Sequence, residues 1–255
     1  MTGGAAAVRL SPAPGQDPGP DAVDVVQRVG NATVRTAGGT APAVDIAGSV
    51  SLRRPVALFI GDSYTDGSGG AGPERSFACL TARTMGWSCR NDGEPGTGYT
   101  NAGKFRGTTT ASYPARVLRT VSQQEASGVP SGVDVVVVTG GRNDAASPVP
   151  VRVAAAGLTL DRLRVTYPDA RIVVVGPFWV DDDVPPSLLA FDAGLRAEAA
   201  ARHLTFLDPV RERWLTTAGR ARWIDEDGVH PSVAGHQRIA AMLVAGLESA
   251  GFGAG

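Results

Sequence analysis

Lysine is almost missing from this chain. Lys104 stands alone, and arginine carries the rest of the positive charge. We read that as a compositional bias without chemical meaning. Charge of either sign is also scarce in net terms, with 24 basic against 25 acidic side chains and a formal net charge of −1. Nucleic-acid and anionic-membrane partners need a basic face, so both are disfavoured. Long apolar runs are lacking as well. Nothing approaches the roughly 18–20 residues that cross a bilayer, so no transmembrane segment is expected. The start, Met1 to Arg9, has neither a basic head nor a long apolar core, and is not expected to act as a signal peptide as it stands. That leaves a cytoplasmic location or secretion after processing. Cys79 and Cys89 are the only cysteines, too few for a metal cage and without histidines nearby. They fit one disulfide in a secreted protein or two reduced core thiols.

What is present is apolar bulk: 43% of 255 residues, enough for one large domain or for a domain plus an appendage. Residues 1–22 are rich in Gly, Ala and Pro and are expected to be a flexible tail. Residues 23–54 carry short apolar alternations broken by glycines. They read as a few short strands or extended segments packed on the main domain. From Pro55 a strand–helix rhythm begins and holds to about residue 250. Val56–Ile60, Val133–Thr139, Arg171–Val175 and Leu204–Leu207 read as strands, with a weaker one at Trp87–Asn91. Helices are expected near 73–85, 113–126, 150–167, 188–202 and 233–249, the last capped by Ser232. Strands apolar on both faces, such as Val135–Val138, belong to a parallel sheet covered on both sides.

The first of these strands stops at Gly61-Asp62-Ser63, which delivers one hydroxyl to the carboxyl edge of the sheet. A serine hydroxyl needs a base before it can attack. His203 precedes a strand and His236 lies on a helix, both ordinary structural placements. His230 sits in a loop, with Asp227 three residues upstream, a spacing that lets a carboxylate reach the far ring nitrogen. Gly96 and Asn143 follow two other strands and offer a backbone N–H and a side-chain amide to a developing oxyanion. Asp62 and Asp144 read as loop-bracing acceptors. Arg142 reads as an exposed or loop-bracing charge, with an anionic substrate as the sharper alternative. The run Asp181-Asp182-Asp183 reads as a solvated loop.

Taken together, Gly61-Asp62-Ser63-Tyr64, the stretch Asn91–Gly98, Gly141-Arg142-Asn143-Asp144 and Asp227-Gly228-Val229-His230-Pro231 resemble the motif blocks of the GDSL/SGNH hydrolase superfamily of esterases and lipases. The resemblance spans about 55–250. Tyr64 stands where many members carry leucine. It implies an α/β fold: a three-layer α/β/α sandwich with a mainly five-stranded parallel sheet, SGNH-hydrolase-like and flavodoxin-like. It implies a Ser63–His230–Asp227 triad and an oxyanion hole of Ser63, Gly96 and Asn143. No metal or organic cofactor is implied. The expected activity is hydrolysis of carboxylic esters with short acyl groups, such as O-acetylated carbohydrate. An acyltransferase on the same fold and a non-catalytic carbohydrate-binding module are the alternatives. The loop Gly93–Gly107, with Tyr99 and Phe105, is expected to cover the serine as a mobile lid.

Overall fold

The computed structural model describes residues 25–29, 32–36, 53–103, 110–127 and 132–253. The expected tail at 1–22 and most of the segment at 23–54 lie outside them. Of that segment, β1 (Val25–Val29) and β2 (Ala32–Thr36) pair as an antiparallel hairpin.

The main unit starts at Arg54. Its sheet has five parallel strands: β3 (Val56–Gly61), β4 (Ser88–Gly93), β5 (Val135–Thr139), β6 (Arg171–Val175) and β7 (Thr205–Leu207), in the spatial order β4-β3-β5-β6-β7. The helices are α1 (Ser63–Asp66), α2 (Phe77–Thr84), α3 (Tyr113–Ser127), α4 (Val149–Thr166), α5 (Pro186–Ala201), α6 (Arg220–Trp223) and α7 (Val233–Ser249). The expected helix at 73–85 is broken. Pro73–Arg75 forms a 3-10 turn, and α2 starts only after Ser76, which is extended.

Alternation along the strands divides the core. Ala57, Phe59, Val135, Val137, Val173 and Val175 face one helix layer, where they meet Phe77, Ala78 and Ala82 of α2 and Ile239, Leu243 and Leu247 of α7. Leu58, Ile60, Val136, Val138, Ile172 and Val174 face the other, built from Tyr113 and Val117 of α3, Leu160 and Leu163 of α4, and Phe191 and Leu195 of α5. This is the three-layer sandwich that strands apolar on both faces require. Each wholly buried branched side chain contributes on the order of 1.5–3 kcal/mol.

Strand order fixes where a site can form. β3 lies between β4 and β5: the chain steps outward from β3 to β4, then crosses back over β3 to β5 and on to β6 and β7, so the winding reverses at β3. A crevice opens at the carboxyl ends where such a reversal occurs. The ends of β3, β4 and β5 all abut it.

At the opposite end of β4, Cys89 is joined to Cys79 of α2 by a disulfide. Of the two states open for these cysteines, the structure contains the bonded one.

Candidate active site

Ser63, Gly96, Asn143, Asp227 and His230 line one cleft of about 510 Å3, together with Arg142. These residues come from the ends of β3, β4 and β5 and from the loop before α7. Every site residue expected from the sequence is therefore in the same place.

Ser63 opens α1 directly after β3. Asp62 caps that turn, its Oδ1 accepting from the Tyr64 N–H at 3.0 Å. Its Oδ2 accepts from Asn143 Nδ2 at 3.3 Å. Burial lifts the Asp62 carboxyl to about 6, against the pull of the Tyr64 N–H and of the Arg142 and Arg116 guanidiniums. Beneath it, Arg116 of α3 is fully buried and donates to the Gly61 carbonyl at 2.8 Å and the Asp92 carbonyl at 3.0 Å. It thereby ties the ends of β3 and β4 together.

The loop that carries His230 is a tight hairpin. The Asp225 N–H donates to the His230 carbonyl at 2.8 Å, and Gly228 takes a φ of 72° at the turn. Asp227 Oδ2 lies 2.5 Å from His230 Nδ1, while Oδ1 accepts the backbone N–H groups of Val229 and His230, each at 2.8 Å. Burial pulls Asp227 upward. The His230 N–H, the His230 ring and the Val229 N–H outweigh it, and the carboxyl falls to about 2. Asp227 is thus a carboxylate throughout the working range of an imidazole. Among the described residues no hydrogen bond joins Ser63 Oγ to the His230 ring. Such contacts commonly tighten only in the complex with substrate.

Two backbone donors are unspent: the N–H groups of Ser63 and Gly96 meet no acceptor among the described residues. The Asn143 amide is occupied. Besides Asp62, its Nδ2 donates to the Thr97 carbonyl at 3.0 Å.

Asp144 braces the loop that presents Gly96. Wholly buried, it accepts from the N–H groups of Tyr99, Thr100 and Asn101 and from the Thr100 hydroxyl, all at 2.8–2.9 Å. Gly98 makes room for it, since a Cβ there would lie 2.4 Å from Asp144 Oδ2. Tyr99 is 1% exposed and packs between Tyr113 and Phe191. The lid expectation therefore fails for the Tyr99 stretch, whose backbone is pinned to Asp144. Phe105 lies outside the described residues.

Sequence reasoning missed how Tyr64 and Arg142 act together. The Tyr64 hydroxyl donates to the Val229 carbonyl at 2.6 Å and accepts from Arg142 Nη1 at 2.8 Å. Its ring stacks on Phe178 and tilts against His230, with centroids 5.7 and 6.1 Å apart. Burial pushes the phenol to about 12, so it stays protonated and keeps donating. A tyrosine in a leucine position of the first block was the available signal. The other two histidines are not among the residues that line the cleft. His236 accepts the Phe77 N–H on Nδ1 at 3.2 Å, and burial lowers it to about 4. His203 sits past the end of α5 with a φ of 57°. The acidic run is not simply solvated. Both carboxylate oxygens of Asp181 accept from Arg220 Nη1, at 2.7 and 2.8 Å, and Arg220 Nη2 donates to the Gly228 carbonyl at 2.8 Å.

Residues 59–238 match the model of the GDSL-like lipase/acylhydrolase family. A GDSL lipase of Mycobacterium tuberculosis is 33% identical over 195 residues, which are 73% of this chain and 78% of that one. Among solved structures, a family two carbohydrate esterase from Clostridium thermocellum, in complex with cellohexaose, superposes with a TM-score of 0.59 at 23% identity. That match covers 78% of this chain and 66% of the esterase. A carbohydrate acetylesterase from Sinorhizobium meliloti superposes with a TM-score of 0.57 at 15% identity, covering 77% of this chain and all of that one, 100%. At such identities these two show a shared fold.

Proposed function

The chain belongs to the GDSL-like lipase/acylhydrolase family, and on that premise we propose that Ser63, His230 and Asp227 act as nucleophile, base and orienting carboxylate in the hydrolysis of short-chain carboxylic esters. The observation that carries this reading is the shared cleft. A serine hydroxyl, an imidazole already bonded to a carboxylate and two unspent backbone donors all face one space.

The chemistry follows from their properties. His230 takes the Ser63 proton as Oγ attacks the ester carbonyl carbon. Asp227, held as a carboxylate, fixes the proton on Nδ1 and stabilises the imidazolium. Negative charge moves to the former carbonyl oxygen, where the Ser63 and Gly96 N–H groups receive it. Asn143 contributes by giving up its bond to the Thr97 carbonyl, while Asp62 keeps the amide aligned. The tetrahedral intermediate collapses, the C–O bond to the alcohol breaks, and His230 returns its proton to that leaving oxygen. Water, deprotonated by the same ring, then releases the acid and restores Ser63. One donor in such a hole is worth about 10²–10³ in rate.

The acyl group is proposed to be short, with O-acetylated carbohydrate as the substrate class. The carbohydrate esterases that share the fold support this. Incubation with a fluorophosphonate, followed by peptide mass spectrometry, tests the nucleophile. One adduct on Ser63 is expected. A protein left unlabelled, or labelled only elsewhere, contradicts the assignment. An ester series from acetyl to dodecanoyl should peak at the short end.

A further inference from the structure

Arg142 lines the same cleft as Ser63 and His230, yet no carboxylate pairs with it among the described residues. Its recorded hydrogen bonds both leave from Nη1, to the Tyr64 hydroxyl at 2.8 Å and the Val229 carbonyl at 3.4 Å. Both acceptors are neutral. Nε and Nη2 meet no acceptor among the described residues, although a guanidinium has five N–H bonds to place. The group is also held in position. Its central carbon lies 5.0 Å from the Trp179 ring centroid and 5.9 Å from that of Tyr64. Trp179 is itself fixed, donating from Nε1 to the Asp183 carbonyl at 3.1 Å.

A loop-bracing arginine would spend its donors on the loop. This one uses a single nitrogen for bracing and leaves Nε and Nη2 unspent in a residue that lines the cleft. Charge balance points the same way. Asp62 feels Arg142 through space but turns its oxygens to Tyr64 and Asn143. Asp227 gives its oxygens to Val229 and His230. A positive, planar, partly desolvated fork beside the nucleophile matches a planar oxyanion, because two parallel N–H bonds fit a carboxylate.

We propose that Arg142 binds a carboxylate carried by the substrate, so that the preferred ester belongs to an acidic molecule such as an acetylated uronic-acid sugar. This rests on the ester-hydrolase reading of the same cleft and narrows its substrate class. Arg142 is a specificity residue here. Its bond to Tyr64 gives it a bracing role too, and the test must separate the two.

Turnover of an acetylated methyl glucuronoside is compared with that of the matching acetylated methyl glucoside. A 4-nitrophenyl adipate monoester is compared with 4-nitrophenyl hexanoate. The first pair puts the carboxylate on the alcohol half, the second on the acyl half. In at least one pair the charged ester should win by about tenfold in kcat/KM, mostly through KM, the worth of one charge-assisted bond open to some water. Arg142→Gln should abolish that ratio, and Arg142→Lys should restore part of it. Loss of bracing lowers both members of a pair together and leaves the ratio unmoved. A wild-type ratio near one in both pairs, or a ratio that survives Arg142→Gln, overturns the proposal. Binding of methyl glucuronoside and methyl glucoside to Ser63→Ala, with and without Arg142→Gln, is read by calorimetry. If no ester is turned over, the hydrolase reading fails, yet a glucuronoside preference that depends on Arg142 still reports the subsite. With no ester turned over, equal binding of the two sugars overturns it.

Discussion

The Tyr64 hydroxyl lies 2.6 Å from the carbonyl of Val229, one residue before the candidate base and 165 positions along the chain from Tyr64 itself. The residue after the proposed nucleophile therefore holds the loop that carries the imidazole. Because Arg142 donates to the same hydroxyl, the phenol's proton is directed at Val229. What this contact supplies to His230 is position.

Tyr64→Phe keeps the ring against Phe178 and removes only the hydroxyl. It should lower kcat/KM about tenfold, in line with the loss of one or two buried hydrogen bonds, and leave the circular dichroism spectrum unchanged. A Tyr64→Leu variant, which restores the commoner family residue, should fall further because Phe178 also loses its stacking partner. Unchanged steady-state kinetics in the phenylalanine variant would show that the His230 loop holds its place without this contact.

Asp62 yields a prediction about pH. Its folded-state carboxyl is raised to about 6, above the ordinary carboxylate range that applies once the chain unfolds. Between those values the folded chain binds the extra proton, so this group's contribution to stability falls as pH rises to 6 and is fully lost above it. The cost at neutral pH is roughly 3 kcal/mol at most. Asp62→Asn should therefore melt no lower than wild type at pH 7.5. The advantage should shrink by pH 4.5, while kcat falls at both values because the Asn143 amide loses its acceptor. Calorimetric scans at the two pH values check it. A variant that is less stable at pH 7.5 than at pH 4.5, relative to wild type, reverses the sign and rejects the account.

The Cys79–Cys89 bond ties α2 to the first half of β4, away from the strand ends that build the cleft. Closing a loop of this size is worth roughly 2–3 kcal/mol. Reduction should lower the melting temperature by about 5–10 °C at the usual scaling for this chain length. Initial rates at 20 °C should hardly change. A drop in activity without a drop in melting temperature would place the bond's role in the site instead.

Much of this was legible from the residues alone, and the reasons are physical. β3, β5 and β6 announce themselves because a strand covered on both faces must be apolar throughout, as Val135–Val138 is. The end-of-strand blocks are legible because the candidate nucleophile, donors and base follow one another in the chain order of the family's motifs. What the sequence hides is long-range pairing between polar side chains. Arg116 draws no reading from the sequence, yet it is fully buried and bonds the Gly61 and Asp92 carbonyls at the ends of β3 and β4. Tyr99 sits among glycines and reads as a lid residue, yet a buried Asp144 pins its backbone and turns the ring inward. Asp181 reads as solvated because its partner Arg220 is 39 residues away.

The central claim is that the Ser63 hydroxyl forms the covalent intermediate. Its most direct test is the rate of 4-nitrophenyl acetate hydrolysis by purified Ser63→Ala beside wild type, with folding verified by circular dichroism. Loss of the nucleophile should cut kcat by about 10³-fold or more, leaving what the remaining donors supply. A folded Ser63→Ala protein that works within tenfold of wild type would contradict it.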